Sequence, residues 1–313
     1  YLFSSSFGRS IIETIVEQVA AAGIRGSDLS ELQVPYAPLD EQRAIAHILG
    51  SLDDKIEANR RLNETLEATA RAIFKSWFVD FDPVHYKARG EHPPGMDAAT
   101  AALFPDSFEE SALGPIPRGW GVGGLDEAVR IIGGGTPKTS TPEYWDGDIP
   151  WFSVKDVPSD TDVFVIDTEK RITQAGVDNS SARLLPQLTT IISARGTVGK
   201  LALTGVEMAM NQSCYAIGGS GYPAFFTYFN LKTRIAELQQ QTHGTVFDTI
   251  TRNTFSSLET ILPSSQIAQC YDDFIAPILE RIRNNVLESR TLAETRDALL
   301  PRLVSGEVRV PHP

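Results

Sequence analysis

Gly133-Gly134-Gly135-Thr136-Pro137-Lys138-Thr139 has the glycines, lysine and threonine of a phosphate-binding loop. A Walker A loop needs Gly directly before Lys-Ser/Thr so that backbone amides can wrap the anion, and Pro137, which has no amide hydrogen, stands there instead. Nucleotide binding is set aside on that ground. Phe81-Asp82-Pro83-Val84-His85-Tyr86 has part of the Asp-Pro-Pro-Tyr signature of amino-methyltransferases, but the second proline is absent, an extra residue intervenes and no Gly-rich cofactor loop follows a strand. His47, His85, His92, His243 and His312 fall at no metal-ligand spacing, and Cys214 and Cys270 form neither a CxxC pair nor a disulfide framework. Without a Gly-x-Ser-x-Gly elbow or a paired-carboxylate motif, the chain reads as non-catalytic, with no metal and no cofactor of its own.

A different chemistry is suggested by loops in which Gly adjoins short polar or basic residues. They contain Thr136, Lys138, Thr139 and Ser140; Lys155; Arg195, Thr197 and Lys200 in Ser193-Ala194-Arg195-Gly196-Thr197-Val198-Gly199-Lys200; Asn211 and Gln212; Thr245; and Arg252. Base edges are read by Arg, Lys, Asn, Gln, Ser and Thr, and glycine lets the backbone approach phosphate closely, so these twelve are candidate DNA contacts. Ordinary β-turns have the same composition. Positions 118–263 hold 12 Lys and Arg against 15 Asp and Glu, and the whole chain has a net charge of −12, so any cationic surface is local or shared with a more basic partner.

These loops need a scaffold, and the chain offers two kinds. Between 118 and 263, short apolar runs alternate with turn residues; strands are expected at 129–132, 149–154, 163–166, 189–193, 201–204 and 208–217, with one helix at 224–241. This is a compact α+β domain. The other kind is a long helix from Asp40, its expected N-cap, to about Phe81. Its apolar seam is Ile45, Leu49, Leu52, Ile56, Asn59, Asn63, Leu66, Ala70, Ile73 and Trp77, alternating steps of four and three, the 3.5-residue period of a supercoiled helix. Some forty residues make a rod of roughly 60 Å.

The rod's partner lies at 266–304. Adding 226 to each seam position gives Tyr271, Ile275, Ile278, Ile282, Asn285, Ser289, Leu292, Arg296, Leu299 and Leu303 without a gap, which marks an internal repeat. Joined through a globular domain, the two rods must run antiparallel, and polar residues near their middles favour one register. Upstream, Ile11, Ile12, Ile15, Val16 and Val19 suggest a helix ending at Gly23 and Gly26, and 29–34 a short strand before Pro35. Prolines and glycines punctuate 83–117 too often for a regular element, so that stretch is expected to be a connector anchored by Phe81, Tyr86, Phe104 and Phe108.

At 313 residues, with 42% hydrophobic and 22% charged residues, about two domains are expected. No apolar run nears the roughly 18 residues that span a bilayer, and a reduced cytosolic setting is the default expectation. The opening Tyr1-Leu2-Phe3-Ser4 reads like the middle of a domain, which suggests a fragment.

Several motifs then carry a family resemblance: Pro38-Leu39-Asp40-Glu41-Gln42, Phe74-Lys75-Ser76-Trp77-Phe78-Val79-Asp80-Phe81-Asp82-Pro83, Pro117-Arg118-Gly119-Trp120, Gly134-Gly135-Thr136-Pro137, Glu143-Tyr144-Trp145, Ile149-Pro150-Trp151, Ser193-Ala194-Arg195-Gly196-Thr197-Val198-Gly199, Asn211-Gln212 and Leu299-Leu300-Pro301-Arg302-Leu303-Val304-Ser305-Gly306. In this order they resemble the specificity subunit of type I restriction-modification enzymes over nearly the whole chain. The resemblance implies a division into 1–37, the remnant of a first target-recognition domain; 38–82, a long helix; 83–117, the connector; 118–264, a complete target-recognition domain; 265–304, the second long helix; and 305–313, a tail. It further implies a DNA-reading subunit in the cytoplasm of a bacterium or archaeon, in which an antiparallel coiled coil spaces two readers of a bipartite double-stranded site. Two methyltransferase subunits, which hold S-adenosylmethionine, and motor-nuclease subunits would be its partners, and a half-length chain would pair with a second copy. The competing reading is an assembly protein whose mixed domain binds protein and whose helices dimerise.

Overall fold

The computed structural model describes residues 6–16, 24, 26–32, 37–241 and 249–310. They fall into two compact units, Tyr1–Arg61 with Asn285–Pro313, and Leu62–Asn284. In chain order the elements are helices α1 (Ser6–Glu13), α2 (Gly26–Glu31), α3 (Leu39–Phe78), α4 (Asp82–Ala88) and α5 (Ala98–Leu103); strands β1 (Phe108–Ser111), β2 (Gly114–Pro117) and β3 (Gly121–Gly124); α6 (Leu125–Ala128); β4 (Val129–Gly133), β5 (Trp145–Phe152), β6 (Phe164–Val165) and β7 (Arg171–Ile172); α7 (Gln174–Asp178); β8 (Thr190–Ser193), β9 (Leu201–Thr204), β10 (Ala209–Met210) and β11 (Cys214–Gly219); α8 (Ala224–Gln241), α9 (Arg252–Ser257), β12 (Glu259–Leu262) and α10 (Ser265–Val304). The α+β class with two long helices is as expected. None of the helices among the described residues is long and apolar enough to cross a membrane.

In the first unit, the N-terminal part of α3 meets the C-terminal part of α10. Asp53 pairs with Arg296 at 2.7 Å, Asn59 Nδ2 donates to Glu288 Oε2 at 2.9 Å and Ser289 Oγ at 3.3 Å, and Glu41 pairs with Arg309 at 2.8 Å. Rising numbers on α3 meet falling numbers on α10, so the helices are antiparallel here. Leu49, Leu300 and Leu303 form the core, and Ile45 and Leu299 pack on it half-buried. The seam therefore shifts one position near the end of α10, from Leu299 to Leu300. Leu52, Ile56 and Leu292 are half-buried, and Asn59 and Asn285 are fully buried. Helix α3 starts at Leu39, its first turn tied by Gln42 N donating to the Pro38 carbonyl at 2.9 Å; Asp40 lies inside that turn instead of capping it.

The expected strand at 29–34 does not form over 29–31, which are helical in α2, while 33–36 lie outside the described residues. Leu29 and Leu32 stand three apart with Ser30 and Glu31 between them, a spacing that suits one helical face. The predicted helix over 11–19 is seen only in part: Ile11 and Ile12 belong to α1, and 17–23 lie outside the described residues.

In the second unit, the C-terminal part of α3, the N-terminal part of α10 and α8 enclose an aromatic core. Phe74, Phe78, Tyr271, Phe226 and Phe229 have ring centroids 5.0–6.3 Å apart, and the Tyr271 hydroxyl donates to the Ala70 carbonyl at 3.1 Å. Among the predicted seam residues, Trp77, Ile275 and Ile282 are buried, and Leu66, Ile73 and Ile278 half-buried. The stretch 83–117 is more regular than expected, with α4, α5 and the β1–β2 hairpin. Pro83 sits in the first turn of α4, where no amide donor is needed, after Phe81 reverses the chain at φ 55. Phe81 and Phe104 are buried, each against Trp120.

The mixed region holds a five-stranded sheet in the order β4-β11-β8-β9-β6 and a three-stranded one, β10-β5-β7. Side chains alternate across the larger sheet. Ile192 and Ile217 join Leu231 of α8 and Phe255 of α9 on one face, and Ile191 and Ala216 join Phe152, Leu185 and Met208 on the other. The run 208–217, expected as one strand, is two, because Asn211 Oδ1 accepts from Ser213 N at 2.9 Å and folds 211–213 into a turn. Strand β5 stops at Phe152, two residues short of the expected end, where Ser153 and Asp156 form a capping box for a 3-10 turn. Strand β12 pairs with β3, a short pairing that the glycines of 121–124 hid from sequence patterning.

Candidate nucleic-acid interface

The register of the five-stranded sheet gathers the polar loops at one end. Gly133 at the end of β4 pairs with Tyr215, Cys214 at the start of β11 pairs with Ser193 at the end of β8, and Leu201 at the start of β9 pairs with Ile192. The loops 134–141, 194–200 and 211–213 therefore leave the same edge. Phe152 ends β5 beside Met210, and its carbonyl accepts from Asn211 N at 2.9 Å, so 153–156 emerges next to them.

Each loop is held from within. Gly134 N and Gly135 N donate to the carbonyls of Cys214 at 3.3 Å and Met210 at 3.0 Å. Two amides of the glycine run are thus spent on the sheet, the opposite of a phosphate loop. Trp151 Nε1 donates to the Gly135 carbonyl at 2.9 Å, and Thr136 Oγ1 donates to Gln212 Oε1, which binds the 134–141 loop to the 211–213 turn. In the 194–200 loop, Ser193 Oγ donates to the Thr197 carbonyl and accepts from Lys200 N at 2.9 Å, closing the loop at its neck. Gly196 and Gly199 have φ of 79° and 83°, which let so short a loop turn back. Ala194 N donates to the Ser213 carbonyl at 2.8 Å, joining this loop to the others.

Trp151, Ser153, Lys155, Lys170, Arg195 and Asn211 line a cleft of about 380 Å³ at this edge. Lys155 lies 3.2 Å from Glu169, and Lys170 stands over the Trp145 ring at 5.6 Å. Arg195 and Lys138 are exposed and have no carboxylate partner among the described residues. Thr139, Ser140, Thr197 and Gln212 are exposed around them. The arrangement offers a free guanidinium, three lysines and several hydroxyl and amide groups on a preformed edge.

Not every candidate belongs to it as expected. Lys200 turns to Asp160 at 3.2 Å and lines a different cleft, with Glu67 and Arg71, so Lys200 and Arg195 do not share one. Arg252 lies beside the edge strand β4, donating to the Ile131 carbonyl at 3.3 Å. Asn211 and Gln212 spend side-chain acceptors on the turn and on Thr136. Thr245 lies outside the described residues. Lys170 was missed because nothing in its neighbourhood marks it; the β5–β7 pairing brings it in, through Trp151 N donating to the Lys170 carbonyl at 3.0 Å. Burial pushes the Cys214 thiol up to about 12, so it stays protonated and is no nucleophile.

Residues 1–68 and 117–294 match the family described as the type I restriction modification DNA specificity domain. The chain is 31% identical over 323 residues to the HindI specificity subunit of Haemophilus influenzae, an alignment covering 90% of this chain and 70% of that protein. It is 25% identical over 315 residues to the MjaIX specificity subunit of Methanocaldococcus jannaschii, covering 99% and 68%. In fold it is similar to the crystal structure of a type I restriction-modification system S subunit from M. genitalium, with a TM-score of 0.58 and 18% identity over 97% of this chain and 71% of that one.

Proposed function

The chain belongs to the type I restriction-modification DNA specificity family, and from that premise we propose that it is the non-catalytic, DNA-reading subunit of a type I restriction-modification enzyme. On this reading, 118–264 recognises one half of a bipartite site in double-stranded DNA. The long helices carry two methyltransferase subunits, which bring S-adenosylmethionine, and motor-nuclease subunits join that assembly.

The observation that carries the proposal is the convergence of the polar loops on one edge of the sheet, with Arg195 and Lys138 paired to no carboxylate among the described residues. A guanidinium can donate twice to the O6 and N7 of a guanine, whereas Lys138, Lys155 and Lys170 suit phosphates as point charges. Preformed loops lose little conformational entropy on meeting the groove.

Gel shifts at stated salt, with and without the methyltransferase partner, test this together with methylome sequencing of DNA modified by the complex. Expected are a bipartite adenine motif and tight binding of that motif by the complex. Equal affinity for scrambled DNA under both conditions, with no motif, refutes it and favours the assembly reading. A palindromic motif identifies pairing of two copies of this chain.

A further inference from the structure

The second unit contains a chain of polar contacts that DNA contact does not use. The C-terminal part of α3 buries two polar side chains, Asn63 at 2% exposure and Glu67 at 3%. Asn63 Nδ2 donates to Asp162 Oδ1 at 3.1 Å, and Glu67 Oε1 lies 2.7 Å from Lys232 Nζ on α8. A buried carboxylate is tolerated when it is paired and hydrogen-bonded, and Lys232 is itself largely covered. Lys232 Nζ also reaches the Asp160 carbonyl at 3.4 Å, and Asp160 Oδ1 holds Lys200 Nζ at 3.2 Å. Lys200 is the last residue of the loop that presents Arg195, and its amide closes that loop on Ser193. The 159–162 turn is further tied by Ser159 Oγ donating to Asp162 Oδ2 at 2.8 Å. It leads into Val163, fully buried with φ 59, a left-handed conformation that a β-branched residue adopts only when its surroundings enforce it.

We propose that Glu67, Lys232 and Asp160 are positioning residues for DNA recognition: they fasten the 194–200 loop to the long helix and so set where Arg195 stands. The inference rests on the proposal that this loop meets DNA. The rival role for the same residues is plain electrostatics, in which Lys200 and Lys232 are phosphate contacts partly neutralised by Asp160 and Glu67.

The two roles predict opposite signs. Asp160→Asn and Glu67→Gln each remove a negative charge, so electrostatics alone tightens binding to every DNA. Positioning predicts instead that affinity for the cognate motif falls about tenfold, roughly the loss expected when one base contact is misplaced. Affinity for scrambled DNA stays level or rises slightly. The assay uses the chain assembled with its methyltransferase partner, at one fixed salt concentration, with the cognate duplex taken from the methylome and a scrambled duplex as control. Asp160 is 77% exposed at its side chain, so Asp160→Asn keeps the fold and decides the matter even if Glu67→Gln does not fold. An unchanged or increased ratio of cognate to scrambled affinity in Asp160→Asn overturns the inference. If the wild-type complex binds both duplexes equally, the DNA-reading proposal itself fails, and this inference with it.

Discussion

Gly133 and Gly134 are neighbours at the end of β4, and alanine at the two positions should have opposite consequences. A Cβ on Gly133 meets nothing within 4 Å, and its φ is not left-handed. Gly133→Ala therefore costs no contact and restricts the unfolded chain, for a gain of about 0.4–1 kcal/mol. A Cβ on Gly134 would stand 1.9 Å from the Asn211 carbonyl oxygen and 2.8 Å from that of Met210, both backbone atoms that no rotamer change can move. Real Cβ contacts stay above 3.0 Å, so the 211–213 turn would have to retreat by about 1.1 Å, the gap between 3.0 and 1.9 Å. Forced backbone shifts of this kind cost about 1–3 kcal/mol. In a domain of this size each kcal/mol is worth about 2–4 °C, so Gly134→Ala should melt roughly 3–16 °C below Gly133→Ala. Because the retreat separates Thr136 from Gln212, cognate DNA affinity should fall in Gly134→Ala alone. Thermal unfolding by circular dichroism and binding of the cognate duplex in the methyltransferase complex are the measurements. Melting temperatures within about 1 °C of each other would refute the claim that these two loops are locked together.

Three further outcomes follow from the same structure. Tyr271→Phe, which removes only the hydroxyl bound to the Ala70 carbonyl, should cost about 1 kcal/mol, and Tyr271→Ala, which empties the aromatic core, about 3–5 kcal/mol, both read by urea unfolding. Burial lifts the Asp272 carboxyl to about 6 against the amides of Phe225 and Phe226, so its stabilising protonation is complete below an ordinary carboxyl pKa and is lost as pH rises through about 6. Wild type should therefore gain roughly 1 kcal/mol from this group between pH 7.5 and pH 5, a slope that Asp272→Asn removes from the urea midpoints. Arg195→Ala should weaken cognate binding about 5- to 100-fold and relax one motif position, while Lys138→Ala should weaken all DNA alike and lower the salt slope by about one, as measured by titrations at several salt concentrations.

What the sequence disclosed depended on the range of the interaction that decides it. The paired helices could be read because period and offset are properties of single segments; Leu49, Asn59, Tyr271 and Ile282 are all buried where the 226-residue offset puts them. The slip from Leu299 to Leu300 could not, since it depends on how the helix end packs with Leu49. The prolines of 83–117 misled for a definable reason: Pro83 opens a helix as readily as it interrupts one. At the candidate edge the residue types were legible but not their availability. Gln212 looks like a base reader until Thr136, 76 positions away, occupies its acceptor. Lys200 looks like a neighbour of Arg195 until the turn between them sends it to Asp160.

A chain with a net charge of −12 can read DNA, as proposed, if carboxylates near the candidate edge are already engaged. Screening limits an exposed charge's influence to roughly 8 Å at physiological salt, so distant acidic residues count for little there. Near the edge, Glu169 is held by Lys155, Asp160 by Lys200 and Asp167 by Arg171, while Arg195 and Lys138 have no such partner among the described residues. If only the cations of this edge meet phosphates, the salt dependence is shallow and non-specific binding by this chain alone is weak. On the proposed reading, discrimination then rests on base contacts instead of being swamped by phosphate affinity. On that reading, the bulk electrostatic attraction would fall to the methyltransferase subunits, and the two roles would sit on separate chains.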